Sequence, residues 1–479
     1  MMAINYLLGS TLLGLAVLMT GCIHNAADPL SLAPTTPYAS WSPMKGNTLM
    51  SARFCQTLLP KTFGEGELNL AELIDIGLQN NPSTKQTWAS ARATAAQYGQ
   101  SLSSFYPNVQ FAAQYTRQKG TFVTVPPKTV FYTTTVGPDV TLSYTLFDFG
   151  QRSAAALAAR EALYQADWTH NQEIQTVIQT IMKDYYEYTY QKKVLAATEA
   201  NLANAGAALD AANQKFALGL AALGDVAQAR TQFLQSKINL TSQKQHVEDA
   251  YALLAVDLGL PANCSFKVQP MPEQVAAEPL LESVEQLVAA ATVQRQDLLA
   301  AAADIRAKEA SILQAKRAIY PVFTTSLDLG KYWFQMGETE DYHWSAAINL
   351  SFPLFHGFYY KNAVKAAEAN LEQAQSAFLQ TELSIVQHVT TSHMSVKTAA
   401  QNLKDTEEYL QAAELEFKIA LSTYKAGTGT ILDVLSAQSS LADARSKKAG
   451  TQRDWFTSLA ELAYATGSLC LPNAEPESL

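Results

Sequence analysis

Charge is scarce in this chain. Of its 479 residues, Asp, Glu, Lys and Arg make up 16%, against roughly a quarter in soluble domains. The formal net charge is −9, which argues against a nucleic-acid partner. Long apolar runs are equally scarce. Only Tyr6–Gly21 approaches a membrane-spanning helix in length, which takes about 20 residues. Mean hydropathy is −0.05, so a polytopic helical transporter is ruled out. Cysteine is nearly absent: Cys22, Cys55, Cys264 and Cys470 form no CxxC or Cys/His cluster, leaving a zinc site without support. An oxidising compartment permits a disulfide, but spacing does not choose a pair among the last three. No GxSxG, HExxH or phosphate-loop motif occurs. The seven His are scattered, and His388 and His393 lie five apart, a poor metal spacing. We therefore expect no enzyme, no metal and no cofactor. Disorder is also disfavoured, since apolar residues reach 48% and aromatics 10%.

The first 21 residues carry no charged side chain and end in Leu18-Met19-Thr20-Gly21-Cys22. An apolar run closed by small residues before a Cys resembles a bacterial lipoprotein signal. Cleavage before Cys22 would leave that thiol to be lipidated and the chain anchored to a membrane surface. Ile23, in place of Asp, favours sorting to the outer membrane in that resemblance. Residues 22–67 then form a tether rich in Pro and Ser, unable to build a core of its own, with Trp41 as an anchor.

The remainder repeats itself. Phe216-Ala-Leu-Gly219 aligns with Tyr424-Lys-Ala-Gly427, Asp225 with Asp433 and Gly259 with Gly467, each pair 208 residues apart. Tyr106-Pro107 aligns with Tyr320-Pro321 at a separation of 214. Two structural repeats, 68–260 and 280–468, are expected, joined by a Pro-containing linker, 261–279, and followed by a tail, 469–479.

Within each repeat apolar residues recur every seven. Ile174, Ile181, Tyr188, Leu195, Leu202, Leu209 and Phe216 are in register with Val389, Val396, Leu403, Leu410, Phe417 and Tyr424. After the turns, Val226, Phe233, Leu240, Val247 and Leu254 match Val434, Leu441, Lys448, Trp455 and Leu462, with one polar interruption. Such a period marks helices that coil around neighbours. Gln151–Leu218 and Tyr359–Lys425 read as single helices, each about 100 Å long at 1.5 Å per residue. Leu68–Ser104, Gly224–Leu258, Leu280–Ile319 and Ile431–Thr466 read as helices of roughly half that length. Two short helices end to end match one long one, as in the wall of a tube.

Between the helices the period falls to two. Val109, Phe111, Ala113 and Tyr115 alternate with polar or small residues, as do Val140, Leu142, Tyr144 and Leu146. The second repeat offers Phe323–Leu329 and Trp344–Phe352. Strands of about ten residues, apolar on one face, suit a transmembrane barrel, and a half-buried soluble sheet would alternate identically. Phe105, Tyr106, Phe147, Phe149, Phe355, Phe358, Tyr359 and Tyr360 would fit interfacial girdles. Four strands cannot close a barrel, and open edges are forbidden in lipid. Three chains would supply twelve.

Duplication, strand placement and the two turns, Phe216–Val226 and Tyr424–Gln438, together resemble the TolC-like outer-membrane efflux protein family. Cys22 and the tether resemble its lipidated branch. The resemblance implies an α+β membrane protein: a trimeric channel-tunnel with a 12-stranded outer-membrane β-barrel, four strands per chain, and a long periplasmic α-helical barrel. The implied partners are two further copies of the chain, outer-membrane lipid, a periplasmic adaptor and an inner-membrane pump. By the same resemblance Asp433, Tyr424 and Asp225 sit at the periplasmic gate, with Tyr424 and Asp225 at positions that hydrogen-bond across helices. Gly219-Leu220 and Gly427-Thr428 match the adaptor-docking turns. Family members often carry a basic latch residue near Gly429 and a second acid near Ser436, and this chain has neither. Asp433 has a second reading, since Thr430 and Asp433 are spaced as a capping box. The expected function is a passive exit duct for drugs or other small molecules. The alternatives are type I protein secretion and, from another class, a non-porous lipid-anchored coiled-coil scaffold.

Overall fold

The computed structural model describes residues 36–38, 67–122, 129–262, 266–272, 283–334 and 339–470. The signal segment, nearly all of the tether, Cys22, Cys55 and Cys264 lie outside them. Two compact units are formed. One holds Ser90–Ala166 and Ala300–Phe378, and the other Pro34–Ala89, Asp167–Leu299 and Leu379–Leu479.

In chain order the elements are β1 (Glu67–Leu68), α1 (Leu70–Asn80), α2 (Pro82–Leu102), β2 (Asn108–Phe122), β3 (Thr129–Phe147), α3 (Gln151–Ala217) and α4 (Leu223–Asp257). There follow β4 (Lys267–Val268), α5 (Val284–Gln294), α6 (Gln296–Arg317), β5 (Val322–Phe334), β6 (Thr339–Ser351), α7 (Tyr359–Ala426) and α8 (Ile431–Thr466). No described helix is long and apolar enough to cross a membrane.

Helices α3 and α7 run unbroken for 67 and 68 residues, as the absence of Pro in them allows. The single helices expected over Leu68–Ser104 and Leu280–Ile319 are each two. Pro82 explains the first break: the residue before a proline avoids the α region, and Asn81 sits at φ −58°, ψ 129°. Its side chain accepts a hydrogen bond from the Ser83 N–H and so caps α2. The second break, at Arg295, has no proline. Arg295 is buried, its guanidinium paired with Asp297 and hydrogen-bonded to the carbonyl of Ala465. The breaks lie 214 residues apart, the separation already seen at Tyr106 and Tyr320. At each break a glycine that ends the neighbouring helix makes a close approach. A Cβ on Gly259 would fall 2.6 Å from the Asn80 carbonyl, and one on Gly467 3.1 Å from that of Gln294.

The heptad residues behave as their period requires. Ile181, Val389, Val396, Leu254 and Val434 are fully or almost fully buried. Lys448, the polar interruption, reaches Glu407 at 2.6 Å. The linker is less open than its composition implies. Its Lys267–Val268 strand pairs in parallel with β1, and Phe266 and Val268 join Leu73, Tyr185, Tyr188 and Leu258 in one apolar cluster.

Strands β2, β3, β5 and β6 form one antiparallel sheet in that order. At 15, 19, 13 and 13 residues they exceed the expected ten, because pairing continues past the apolar band into the hairpins. Side chains alternate between faces. One face exposes Phe111, Tyr342, Trp344 and Ile348. On the other, the cross-strand partners Thr141, Asp328 and Ser345 meet: the Thr141 hydroxyl donates to Asp328 at 2.6 Å and that of Ser345 at 3.2 Å. Where β3 enters α3, Asp148 accepts from the N–H groups of Gly150 and Arg152 and pairs with the Arg152 guanidinium. Phe147, Phe149 and Tyr320 pack ring to ring there, at the sheet end where a girdle is expected.

Candidate gate and docking turns

Both helical hairpins of the larger unit share one apolar cluster. Ala208, Ala211 and Ala212 of α3 and Ala229 of α4 pack with Ala413, Phe417 and Tyr424 of α7 and Ile431, Val434 and Leu441 of α8. Alanine on one hairpin lets the larger side chains of the other approach its backbone.

The turn between α3 and α4 is a Schellman motif. The Leu220 N–H donates to the Lys215 carbonyl and the Gly219 N–H to that of Phe216, with Gly219 at φ 73°. Leu218, Leu220 and Leu223 are exposed around it, each by about two-thirds or more. The α7–α8 turn repeats the motif, with Thr428 N–H to Thr423 and Gly427 N–H to Tyr424. Its tip is polar instead: Gly427 and Thr428 are exposed, with Thr430 beside them, and Leu432 is the exposed apolar residue that follows.

The second turn crowds the position where the resemblance places a basic residue. Gly429 also donates its N–H to Thr423, and a Cβ there would stand 2.8 Å from the Thr423 hydroxyl and 3.1 Å from the Tyr424 nitrogen. A side chain there would require the Thr423 hydroxyl to swing aside and the backbone at Tyr424 to give by a few tenths of an ångström. Ser436 is exposed on α8.

Asp433 closes a capping box with Thr430. Its carboxylate accepts from the Thr430 hydroxyl at 2.7 Å and N–H at 2.9 Å, and its own N–H donates to the Thr430 oxygen. Those hydrogen bonds hold its pKa below the usual carboxylate value. Asp225, its counterpart, makes no such box: the N-cap of α4 is Ala222, which has no side chain to offer. A depressed pKa means stability that is present above the unfolded value, about 3.9, and is lost as pH falls through the lower folded value. The protection of amides in the first turn of α8, relative to the intrinsic exchange rate at each pH, should therefore fall below about pH 4 in the native chain. In Asp433→Asn that protection should be low already at pH 7. Equal protection of the two proteins at pH 7 would remove the cap.

Tyr424 and Asp225 do come near one another, but not as a hydrogen-bonded pair. Tyr424 is 2% exposed and its hydroxyl has no hydrogen-bond partner among the described residues. Burial raises its pKa, and the charge of Asp225 raises it further. The cross-hairpin contact is made by Lys215, whose ammonium lies 4.1 Å from the centroid of the Tyr424 ring. Sequence reasoning missed Lys215, because it lies 209 positions from its partner and belongs to no motif.

In the smaller unit, a cavity of about 980 Å³ opens along the polar sheet face. It is lined by hydroxyl and amide groups such as those of Ser103, Asn108, Ser143, Thr145, Gln314 and Ser326. The Asp148–Arg152 ion pair and apolar groups of Tyr144, Ala155 and Val322 share the lining.

The sequence profile described as "Outer membrane efflux protein" matches residues 73–260 and again 287–468. The chain belongs to this family. Among its relatives are the outer membrane protein TolC of Salmonella enteritidis, 23% identical over 84% of this chain and 82% of that protein, and the pyoverdine export outer membrane protein OpmQ of Pseudomonas putida, 24% identical over 95% and 96%. In fold the chain is similar to the crystal structure of the outer membrane protein VceC of Vibrio cholerae, with a TM-score of 0.73 at 22% identity over 83% of this chain and 96% of that one. It is accordingly an outer-membrane channel component of efflux or export systems, and the four-stranded sheet is its contribution to the β-barrel.

Proposed function

We propose that three copies of the chain form a passive exit duct that catalyses nothing, takes cargo through a periplasmic adaptor and draws its energy from an inner-membrane pump. The observation that carries this reading is the incompleteness of a single chain. Strands β2 and β6 are open edges, which lipid does not tolerate, and three sheets of four strands close a barrel with a lumen. The helices support it: Leu379, Leu383, Leu415 and Ile419 of α7, and Leu234 and Ile238 of α4, are exposed to about half or more in one chain. A second copy would cover them.

Cys22 is the lipidation site on the sequence pattern alone, anchoring the mature chain in the outer membrane with its helices in the periplasm. The exposed turns Gly219-Leu220 and Gly427-Thr428 are the adaptor contacts, the first apolar and the second polar. Asp433, Tyr424 and Asp225 belong to the gate, where three copies of Asp433 would form an acidic ring. Its capping bonds leave the carboxylate ionised, as such a ring requires. A relative named for pyoverdine export favours small molecules as cargo. Negative-stain imaging of the detergent-purified protein tests the duct. A hollow three-fold cylinder is expected, and thin solid rods would replace the duct with the lipid-anchored scaffold.

A further inference from the structure

The two faces of the sheet carry opposite charge. On the polar face the acidic or basic residues of the described strands are Asp139, Asp328 and Asp341, with no Lys or Arg among them. The apolar face carries Arg117, Lys119, Lys331 and Glu340. These four lie in the hairpin-side halves of their strands, among the aromatic residues of that face, and each cation sits against an aromatic ring. Lys119 is opposite Tyr132 in register, with its ammonium 5.8 Å from that ring, and the Arg117 guanidinium is 5.9 Å from the same ring. Lys331 is opposite Tyr342 and lies over it at 5.2 Å and over Trp333 at 5.3 Å. Glu340 neutralises Lys331 at 2.9 Å, the one ion pair on this face among the described residues. Arg117 and Lys119 are exposed and have no carboxylate partner among the described residues.

Two unneutralised cations on a lipid-facing surface are tolerated only at its boundary, and there they need anions. A guanidinium seated on a ring offers its N–H fork to phosphate, and a neighbouring ammonium adds a point charge. The helices leave the sheet from the end opposite the hairpins, so in the proposed duct the hairpin end meets the outer leaflet. We propose that Arg117 and Lys119, held on Tyr132, bind the phosphate of an anionic glycolipid in that leaflet, one site per chain. The site rests on the duct reading for the direction of the sheet.

The test uses the full-length protein, delipidated in mild detergent and titrated with bis-phosphorylated lipid A under native mass spectrometry. Phosphate-free lipid A and phosphatidylglycerol serve as comparison probes. The native chain should bind bis-phosphorylated lipid A, and R117Q/K119Q should bind it about tenfold more weakly. Phosphate-free lipid A should bind the native chain no better than that variant binds the phosphorylated form. Arg117→Lys with Lys119→Arg keeps both charges and should retain most of the binding, which separates recognition from folding. Equal binding of lipid A by the native chain and R117Q/K119Q would overturn the site. Equal binding of phosphatidylglycerol would overturn the glycolipid assignment. Loss of trimers in R117Q/K119Q with lipid binding per chain unchanged would assign the cations to a neighbouring copy instead. Imaging of the same native sample reports the duct independently: absence of three-fold particles would fail that reading and the outer-leaflet assignment with it, whereas the titration alone decides whether Arg117 and Lys119 bind phosphate.

Discussion

Lys215→Gln should raise the resting conductance of the channel about tenfold, whereas Tyr424→Phe should leave it unchanged. The two substitutions separate two ways of clasping one hairpin to the other at the proposed gate. If the clasp is the ammonium on the ring, 4.1 Å from its centroid, removing the charge forfeits a partly desolvated cation–π contact of about 1–2 kcal/mol. At about 1.4 kcal/mol per tenfold, that moves the open population by roughly an order of magnitude. Removing the Tyr424 hydroxyl costs nothing comparable, because it is buried without a hydrogen-bond partner among the described residues and an unmade bond cannot be lost. Tyr424→Leu, which deletes the ring, should open the channel as Lys215→Gln does. Single-channel recording in planar bilayers reads all three. Opening by Tyr424→Phe equal to that of Lys215→Gln would mean that the hydroxyl reaches Asp225 in the assembled channel and that the latch is a hydrogen bond.

Gly259→Ala should unfold the chain at a markedly lower temperature than Gly427→Ala, although both glycines have φ near +80°. A side chain in that region costs roughly 1–2 kcal/mol wherever it occurs. Gly427 has open space where its Cβ would be, so it incurs that cost alone. At Gly259 the Cβ would also stand 2.6 Å from the carbonyl carbon and oxygen of Asn80. Those are backbone atoms at the α1–α2 break, unable to swing aside, and overpacking adds about 1–3 kcal/mol. Gly467→Ala, at 3.1 Å from the equivalent carbonyl, should fall between them. Thermal unfolding of the purified protein, followed by far-ultraviolet circular dichroism, gives the order. A Gly427→Ala protein no more stable than Gly259→Ala would refute the close approach as its cause.

The sequence by itself determined the elements and their repetition. Periods of seven and two are properties of neighbouring residues, so α3, α7 and all four sheet strands were legible from Ile181, Val389, Phe111 and Ile348 and their like. Thr430 and Asp433 were legible as a capping box for the same reason: both partners lie within one helical turn. Cys22 and the tether can be read only from sequence, since they lie outside the described residues. Tertiary structure decided whatever depends on partners far apart in the chain. The α5–α6 break carries no proline, and its buried Arg295 finds its bonds on Asp297 and, 170 positions away, Ala465. Glycine at 429 looked like a missing latch, and only the folded turn shows how closely Thr423 and Tyr424 would crowd a side chain there. The contact between Lys215 and Tyr424 exists because α3 and α7 are packed side by side, which no local pattern encodes. The segregation of cations and acids between the two sheet faces needed the pairing register, because a shift of one residue would exchange the faces.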